Sequence, residues 1–531
     1  MSELGYQANR LCFDNCCYSP LRNKNMHGHV NRLLLHIAAV LFFAGQSLAQ
    51  MTVTIDPDQR TGATVRHFGW DAKLSAGVAS SPKAAKWLYE ESPANLMRIP
   101  IRPQLSTPDG KIKLKSDDGK NSYTLLIKSI KMGKKHNPDM KVFASTKLLG
   151  AKTFPSWMHS NQVGKIFNEP AQCPNPKKYA ELIKNYFELM ASEGIKIDFL
   201  GLNNEVGDAL TAEIYVDLAK SLQRKLKKST IDDQYKDFQW VGCEEFGVPG
   251  SLRYARDLLK AGAADFVDVV GSHYYPDKES GSIENWGPLS SLGVPSWHTE
   301  VHVRSSEDPL QNILVLRDGM SIVFKTNRKG VQGYVWWGGS ARRGFLGNLI
   351  RHDMIRSMLY GSCVATSGSY EAKGNPPNKR VTQATRVGDT VWLWCFNPGP
   401  KIKKLSVDFS KSKIETYKAK FWTGGEKVGP QSLGELKVDR INADQLALNE
   451  VPAQSISLLQ VQLEDDQMLL PMQKWQLRKP SRKTIEASLS KATNETLFFK
   501  TRRKRKIKVD FNDLDPQHRN EVLDAIKAHG Q

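Results

Sequence analysis

The chain has 531 residues, 40% of them hydrophobic, with 12 Trp and a formal charge of +20 from 75 Lys+Arg against 55 Asp+Glu. That apolar content excludes a wholly disordered chain, and the length exceeds one ordinary domain of ~150 residues. The charge invites a polyanion-binding reading, but it is uneven: residues 471–531 alone hold 15 Lys+Arg against 7 Asp+Glu.

The first 49 residues have the layout of an export signal. His27–Arg32 is polar and weakly basic, Leu33–Ala44 is apolar, and Ser47-Leu48-Ala49 puts small residues at alternate positions. The apolar run is shorter than the ~20 residues of a comfortable membrane span. The expectation is cleavage after Ala49, with Met26 as the working start, and a secreted mature protein with no stable membrane span. The cysteines after residue 50 are Cys173, Cys243, Cys363 and Cys395. Their spacing signals no zinc or CxxC site, so no metal or cofactor is called for. In a secreted protein Cys363 and Cys395 could bridge.

From residue 65 to 340, short β-like runs alternate with amphipathic helical stretches. The runs are His67–Trp70, Leu96–Ile101, Lys141–Thr146, Ile197–Asn203, Phe238–Cys243, Phe266–Ser272, Val294–Glu300 and Gly333–Trp337. Helical spacing is clearest over Pro174–Glu193, Ala212–Lys227, Leu252–Ala261 and Leu310–Lys325. Eight such units in ~280 residues, with strands apolar on both faces, predict an α/β fold: a (β/α)8 TIM barrel over residues 50–368. After residue 369 the texture becomes short strands separated by Gly, Pro, Asn and Lys turns. Arg380–Arg386, Thr390–Asn397, Lys404–Phe409, Lys418–Trp422 and Ser455–Val461 predict an attached antiparallel β-sandwich over 369–464, which Thr52–Asp56 would join. Residues 465–531 read as a basic, partly disordered tail ending in a short helix near Asn512–Ala528.

Catalytic groups of such barrels sit at the C-terminal ends of the strands. The fourth strand ends in Asn203-Asn204-Glu205 and the seventh in His298-Thr299-Glu300. Two carboxylates facing each other across the mouth are what glycosidic cleavage needs: one protonates the leaving oxygen, the other attacks the anomeric carbon. Arg98 on the second strand can hold a carboxylate ionised. The sixth strand ends His273-Tyr274-Tyr275, where a hydroxyl can donate to the nucleophile. Trp336 and Trp337 on the eighth strand, with Trp70 and Trp157 after the first and third, offer indole faces for sugar rings. Singly these signals are unspecific: an Asn-Glu pair fits a solvated loop, a Trp-Trp pair fits a core, and His273 alone fits a structural histidine. Their order at barrel spacing carries the reading. Glu244 and Glu245 on the fifth strand are rival carboxylates, and Asp71 is a further polar candidate.

The set Asn204-Glu205, His273-x-Tyr275, Glu300 and Trp336 or Trp337 resembles the clan of retaining glycoside hydrolases with Glu on strands 4 and 7. Within it, the chain most resembles glycoside hydrolase family 30, whose members build a β-sandwich from both chain ends. Thr390–Asn397 and Val451–Leu459 look like its sandwich strands. The resemblance implies that Glu205 is the acid/base and Glu300 the nucleophile. It further implies that Asn204 contacts the sugar 2-hydroxyl, while Arg98 and Tyr275 support Glu300. The expected activity is hydrolysis of a β-linked polysaccharide, xylan- or β-glucan-like, by double displacement. Alternatives are an exo-acting or glucosylceramidase-like enzyme of the same clan, and a catalytically degenerate carbohydrate- or polyanion-binding protein. The expected partner is a poly- or oligosaccharide, not nucleic acid, with polyanion contact through the basic stretch 500–508.

Overall fold

The computed structural model describes residues 51–528 apart from 73–81, 118–121, 149–153, 167–168, 276–280, 302–312, 338–344, 369–380, 411, 425–431, 465–469, 477–483, 493–495, 502–505 and 511–513. The expected signal segment lies outside the described residues. A first strand, β1 (Met51–Arg60), precedes eight parallel strands that close into a barrel. In chain order these are β2 (His67–Asp71), β3 (Leu96–Ile101), β4 (Lys141–Thr146), β7 (Phe199–Gly201), β8 (Gln239–Phe246), β9 (Val269–Tyr274), β10 (Ser296–Val301) and β11 (Val331–Trp336). A hairpin, β5 (His159–Ile166) and β6 (Glu169–Pro174), is inserted after β4.

The barrel strands are apolar on both sides because both sides are covered. Leu96, Phe143, Phe199, Val241, Val269, Trp297 and Val335 fill the barrel interior. Their neighbours, such as Met97, Ile99, Val142 and Ala144, pack outward under the helices. Alternation then puts Arg98 on the same inward side as Leu96. Helix starts follow local capping: Asn175 Oδ1 accepts from the N–H groups of Lys177 and Lys178 at the head of Pro176–Ser192. Among the described residues, no helix is long and apolar enough to cross a membrane.

The remaining strands belong to one 14-stranded sheet folded into a sandwich, which also includes β1. One run contains β12 (Ser362–Ser367), β13 (Val381–Val387), β14 (Thr390–Asn397), β16 (Ile414–Thr423), β17 (Ser432–Glu435) and β20 (Ser455–Leu463). The branch facing it contains β15 (Ile402–Asp408), β18 (Val438–Arg440) and β19 (Gln445–Val451). Strand β1 connects them, antiparallel to β12 but parallel to β15, which departs from the antiparallel expectation. Val53, Ile55, Leu393, Leu405, Leu446 and Leu459 share the core between the layers. No disulfide joins Cys363 and Cys395; both are buried, in separate cores.

The C-terminal segment is folded rather than the partly disordered tail expected from its charge. Strands β21 (Leu470–Gln476), β22 (Thr484–Ala492), β23 (Thr496–Thr501) and β24 (Lys506–Asp510) form an antiparallel meander, followed by the helix Pro516–Ala528. β21 joins β1 through Gln59 and Met472. Buried Trp475, Leu489, Leu497, Phe499 and Val509 supply its core. The basic residues between them obscured this alternation in the sequence.

Candidate active site

The centre of the barrel mouth is Arg98. Its guanidinium is fully buried and pairs with three carboxylates: Glu300 at 2.5 Å, Asp71 at 3.1 Å, and Glu244. It also donates to Ser145 Oγ at 3.0 Å and to Asn204 Oδ1. These contacts outweigh burial, which by itself lowers the affinity for a proton, and hold Arg98 firmly protonated. Glu244, one of the rival carboxylates, is wholly buried and also accepts from Ser145 Oγ at 2.9 and 3.0 Å. Gly201 lies against it; a Cβ there would overlap the Glu244 carboxylate. Glu244 is therefore enclosed beneath the mouth.

Glu300 stands at the end of β10 and is 2% exposed. Arg98 binds its Oε1, and Tyr275 Oη donates to Oε2 at 2.8 Å. Tyr275 is stacked on Phe246, with ring centroids 5.3 Å apart. Burial, then the adjacent Glu300 charge, keeps the phenol protonated. Glu205 follows β7 in the left-handed region, φ 53°, a conformation that costs a non-glycine residue on the order of 1 kcal/mol. Its N–H donates to the Glu244 carbonyl at 3.1 Å, which fixes that turn. The next turn, Gly207–Ala209, packs on the hairpin β5–β6 through Ala209, Ile166 and Ala171.

His273 joins the two catalytic candidates. Its Nδ1 is 2.6 Å from Glu205 Oε1 and 3.6 Å from Glu300 Oε2, and its Nε2 is 3.4 Å from Arg98. One donor atom each of Glu205, His273 and Glu300 lies within 4.8 Å of the others, close enough to share a proton or to hold a cation. Burial pushes the Glu205 carboxyl up, but the His273 charge and hydrogen bond outweigh it and hold the group below the usual carboxylate range. Glu245 behaves oppositely. Burial, then the Glu205 charge, pushes it up to about 8, beside the Asn203 amide at 3.4 Å. One carboxyl of this neighbouring pair is held ionised and the other protonated near neutrality.

The structure brings Arg98, Asn204, Glu205, His273, Tyr275 and Glu300 together. It does not bring Trp70 and Trp336 to the mouth, and their expected role as sugar platforms is corrected. Both are 1% exposed and lie in the outer layer. Trp70 Nε1 donates to the Leu88 carbonyl, and Trp336 stacks under Arg351, whose Cζ is 5.0 Å from its ring. Strand parity is the reason: Asp71 and Val335, their neighbours, take the inward positions. Trp337 follows β11, is partly buried, and donates its backbone N–H to Val301. Trp157 sits partly buried in the turn before β5, packed against the helix-layer core. Ser145 and Phe246 were not anticipated, although both stand at the end of a barrel strand.

No family profile and no curated protein matches the sequence. Solved structures do match. The catalytic domain of GH30 xylanase C from Talaromyces cellulolyticus is 15% identical, with a TM-score of 0.53 over 77% of this chain and 99% of that one. A glycoside hydrolase family 30 subfamily 8 xylanase from Clostridium acetobutylicum gives 16%, 0.53, 77% and 99%. A GH30 endoxylanase from Clostridium papyrosolvens gives 14%, 0.51, 77% and 100%. The chain has the fold of the GH30 xylanases. Those xylanases are matched over nearly their whole length, while about a quarter of this chain falls outside the match.

Proposed function

We propose that the chain is a secreted, retaining glycoside hydrolase acting on a β-linked polysaccharide of the xylan or β-glucan type. The observation that carries this reading is the approach of the Glu205 and Glu300 carboxyl oxygens to within 4.8 Å. Retaining enzymes need ~5–5.5 Å between carboxyls, whereas inverting ones need ~6.5–9.5 Å to seat a water. The GH30 fold, and the xylanase names of its relatives, support the same reading.

Glu300 attacks the anomeric carbon while Glu205 gives its proton to the leaving oxygen, and a covalent glycosyl-enzyme forms. Glu205 then takes a proton from water, which displaces Glu300 and releases a sugar of unchanged anomeric configuration. Arg98 and Tyr275 keep Glu300 anionic and aimed. Asn204, fixed through its Oδ1 by Arg98, is the residue placed to contact the sugar 2-hydroxyl. A bound sugar that excludes water from the Glu205 carboxyl disfavours its ionised form and favours the protonated acid the first step needs. Trp337 supplies the stacking face.

The test is Glu300→Gly with azide. Turnover should fall by orders of magnitude, and azide should restore it as a glycosyl azide of inverted anomeric configuration. Wild-type hydrolysis of xylan and β-glucan panels, followed by NMR of the first anomer released, should show retention. Release of the inverted anomer would overturn the mechanism.

A further inference from the structure

The turn that carries Glu205 rests on the inserted hairpin through backbone as well as side chains. Glu205 and Gly207 both have φ 53°, so two residues of one short turn are left-handed. A strained turn persists only where its surroundings fix it. Its ends are anchored: the Glu205 N–H donates to the Glu244 carbonyl at 3.1 Å, and the Leu210 carbonyl accepts from Tyr254 Oη at 2.6 Å. Between these anchors the turn meets β5. A Cβ on Gly164 of β5 would lie 2.7 Å from the Asp208 carbonyl carbon and 2.8 Å from Ala209 Cα. A Cβ on Gly207 would lie 2.8 Å from the Lys165 carbonyl oxygen. Each segment sets a glycine against the other's backbone, and neither leaves room for a side chain.

Apolar side chains close the seam. Gly164 is paired with Ala171 across the hairpin, and Ala171 and Ile166, 8% and 3% exposed, pack with Ala209. The rest of β5 is open: no residue of 159–165 is buried, and Val163 is 61% exposed. A strand so exposed adds little to the barrel core. Its close contact is with the turn that follows Glu205.

We propose that the hairpin β5–β6 positions the acid/base, and that Gly164 is the positioning residue: its backbone contact with Gly207–Ala209 sets where Glu205 meets the leaving oxygen. This rests on the reading of Glu205 as the acid/base. An added methyl at Gly164 must open the seam by about 1 Å to reach the ordinary carbon–carbon contact of ~3.5–4.0 Å. A misplacement of ~1 Å can cost ~10²-fold in rate. Glu300 is held separately, by Arg98 and Tyr275, and keeps its place. The loss therefore falls on protonation of the leaving group and not on nucleophilic attack.

The test compares leaving groups. A phenol leaves well only when protonated, whereas 2,4-dinitrophenolate leaves as the anion. The probes are phenyl and 2,4-dinitrophenyl β-xylobiosides and β-cellobiosides, read as kcat/KM, which reports formation of the glycosyl-enzyme. Gly164→Ala should lower kcat/KM about 10²-fold for the phenyl glycoside and no more than about threefold for the dinitrophenyl glycoside. Ile166→Ala, which hollows the seam without adding bulk, should show the same split at roughly tenfold. Labelling of Glu300 by a 2,4-dinitrophenyl 2-deoxy-2-fluoroglycoside needs the nucleophile and no acid. It counts the correctly folded molecules, and rates are taken per labelled site. Where Gly164→Ala yields too few such molecules, Ile166→Ala decides. Equal effects on the two leaving groups, or none on either, would overturn the proposal. Glu205→Gln separates it from the reading beneath it. If Glu205→Gln shows the split and the seam variants do not, the positioning role fails. If Glu205→Gln lacks the split, or wild type hydrolyses neither series, the acid/base reading fails.

Discussion

Glu245 offers a sharp test of the electrostatics at the mouth. Its ordinary value of 4.5 is pushed up to about 8 by burial and by the Glu205 charge. The folded protein therefore holds this proton more tightly than the unfolded chain. The resulting stability is complete below pH 4.5 and is lost as pH rises towards 8. At ~1.4 kcal/mol per pH unit the ceiling is ~5 kcal/mol, and partial access of water to the side chain brings the expectation to about 2–3 kcal/mol. Glu245→Gln mimics the protonated acid. It should match wild type at pH 4.5 and exceed it at pH 9, by about 2–3 °C in melting temperature for a chain of this size. Thermal melts from pH 4.5 to 9 read the difference. A constant offset across that range would refute the assignment of a protonated Glu245. The same variant should retain hydrolysis; if it loses turnover while Glu205→Gln keeps it, Glu245 and not Glu205 is the acid/base.

Acid should destabilise the fold by the opposite route. Burial holds His67, His298 and His352 neutral, at about 3, so each must gain a proton on unfolding. Stability should fall as pH drops from 6.5 towards 3, and denaturant midpoints across that range measure it. Arg98→Met strands three buried carboxylates. It should cost at least ~3–5 kcal/mol at pH 7 and less at pH 5, where the carboxylates can take up protons. An equal cost at both values would contradict this. Trp337→Ala should raise KM roughly tenfold with little loss of stability, the ~1.4 kcal/mol of a lost sugar contact. Trp336→Ala should instead cost about 3–5 kcal/mol of stability and leave KM unchanged in the folded fraction. Interchanged outcomes would return Trp336 to the mouth.

The barrel was legible because its strands are short apolar runs with helical periodicity between them. Leu96–Ile101 and Lys141–Thr146 were bounded correctly from sequence, and asking what ends each strand singled out Glu205 and Glu300, which lie together in the structure. Strand parity was not resolved at Trp70 and Trp336. Adjacent residues point to opposite sides, and a Trp-Trp pair gives no sign of which one faces in. The depth of Glu244 was also hidden: an irregularity in β8 between Val241 and Glu244 shifts the inward register. The C-terminal strands were missed because the many lysines and arginines interspersed among Trp475, Leu489, Leu497, Phe499 and Val509 were counted as solvated charge. Glu205 could not be seen as left-handed, since nothing in an Asn-Glu pair announces a positive φ.

Arg98 reaches residues on or beside β2, β4, β7, β8, β9 and β10, which come from both halves of the chain. A barrel lacking its later strands holds this cation without Glu244 and Glu300, and those strands without Arg98 hold acids with no counter-ion. Partial barrels are thereby disfavoured relative to the closed one. The hub works as a completion check during folding: the ring becomes stable only when the strand carrying the cation and those carrying its acids have met. Half-barrel fragments expressed separately should therefore assemble with each other more readily than with copies of themselves.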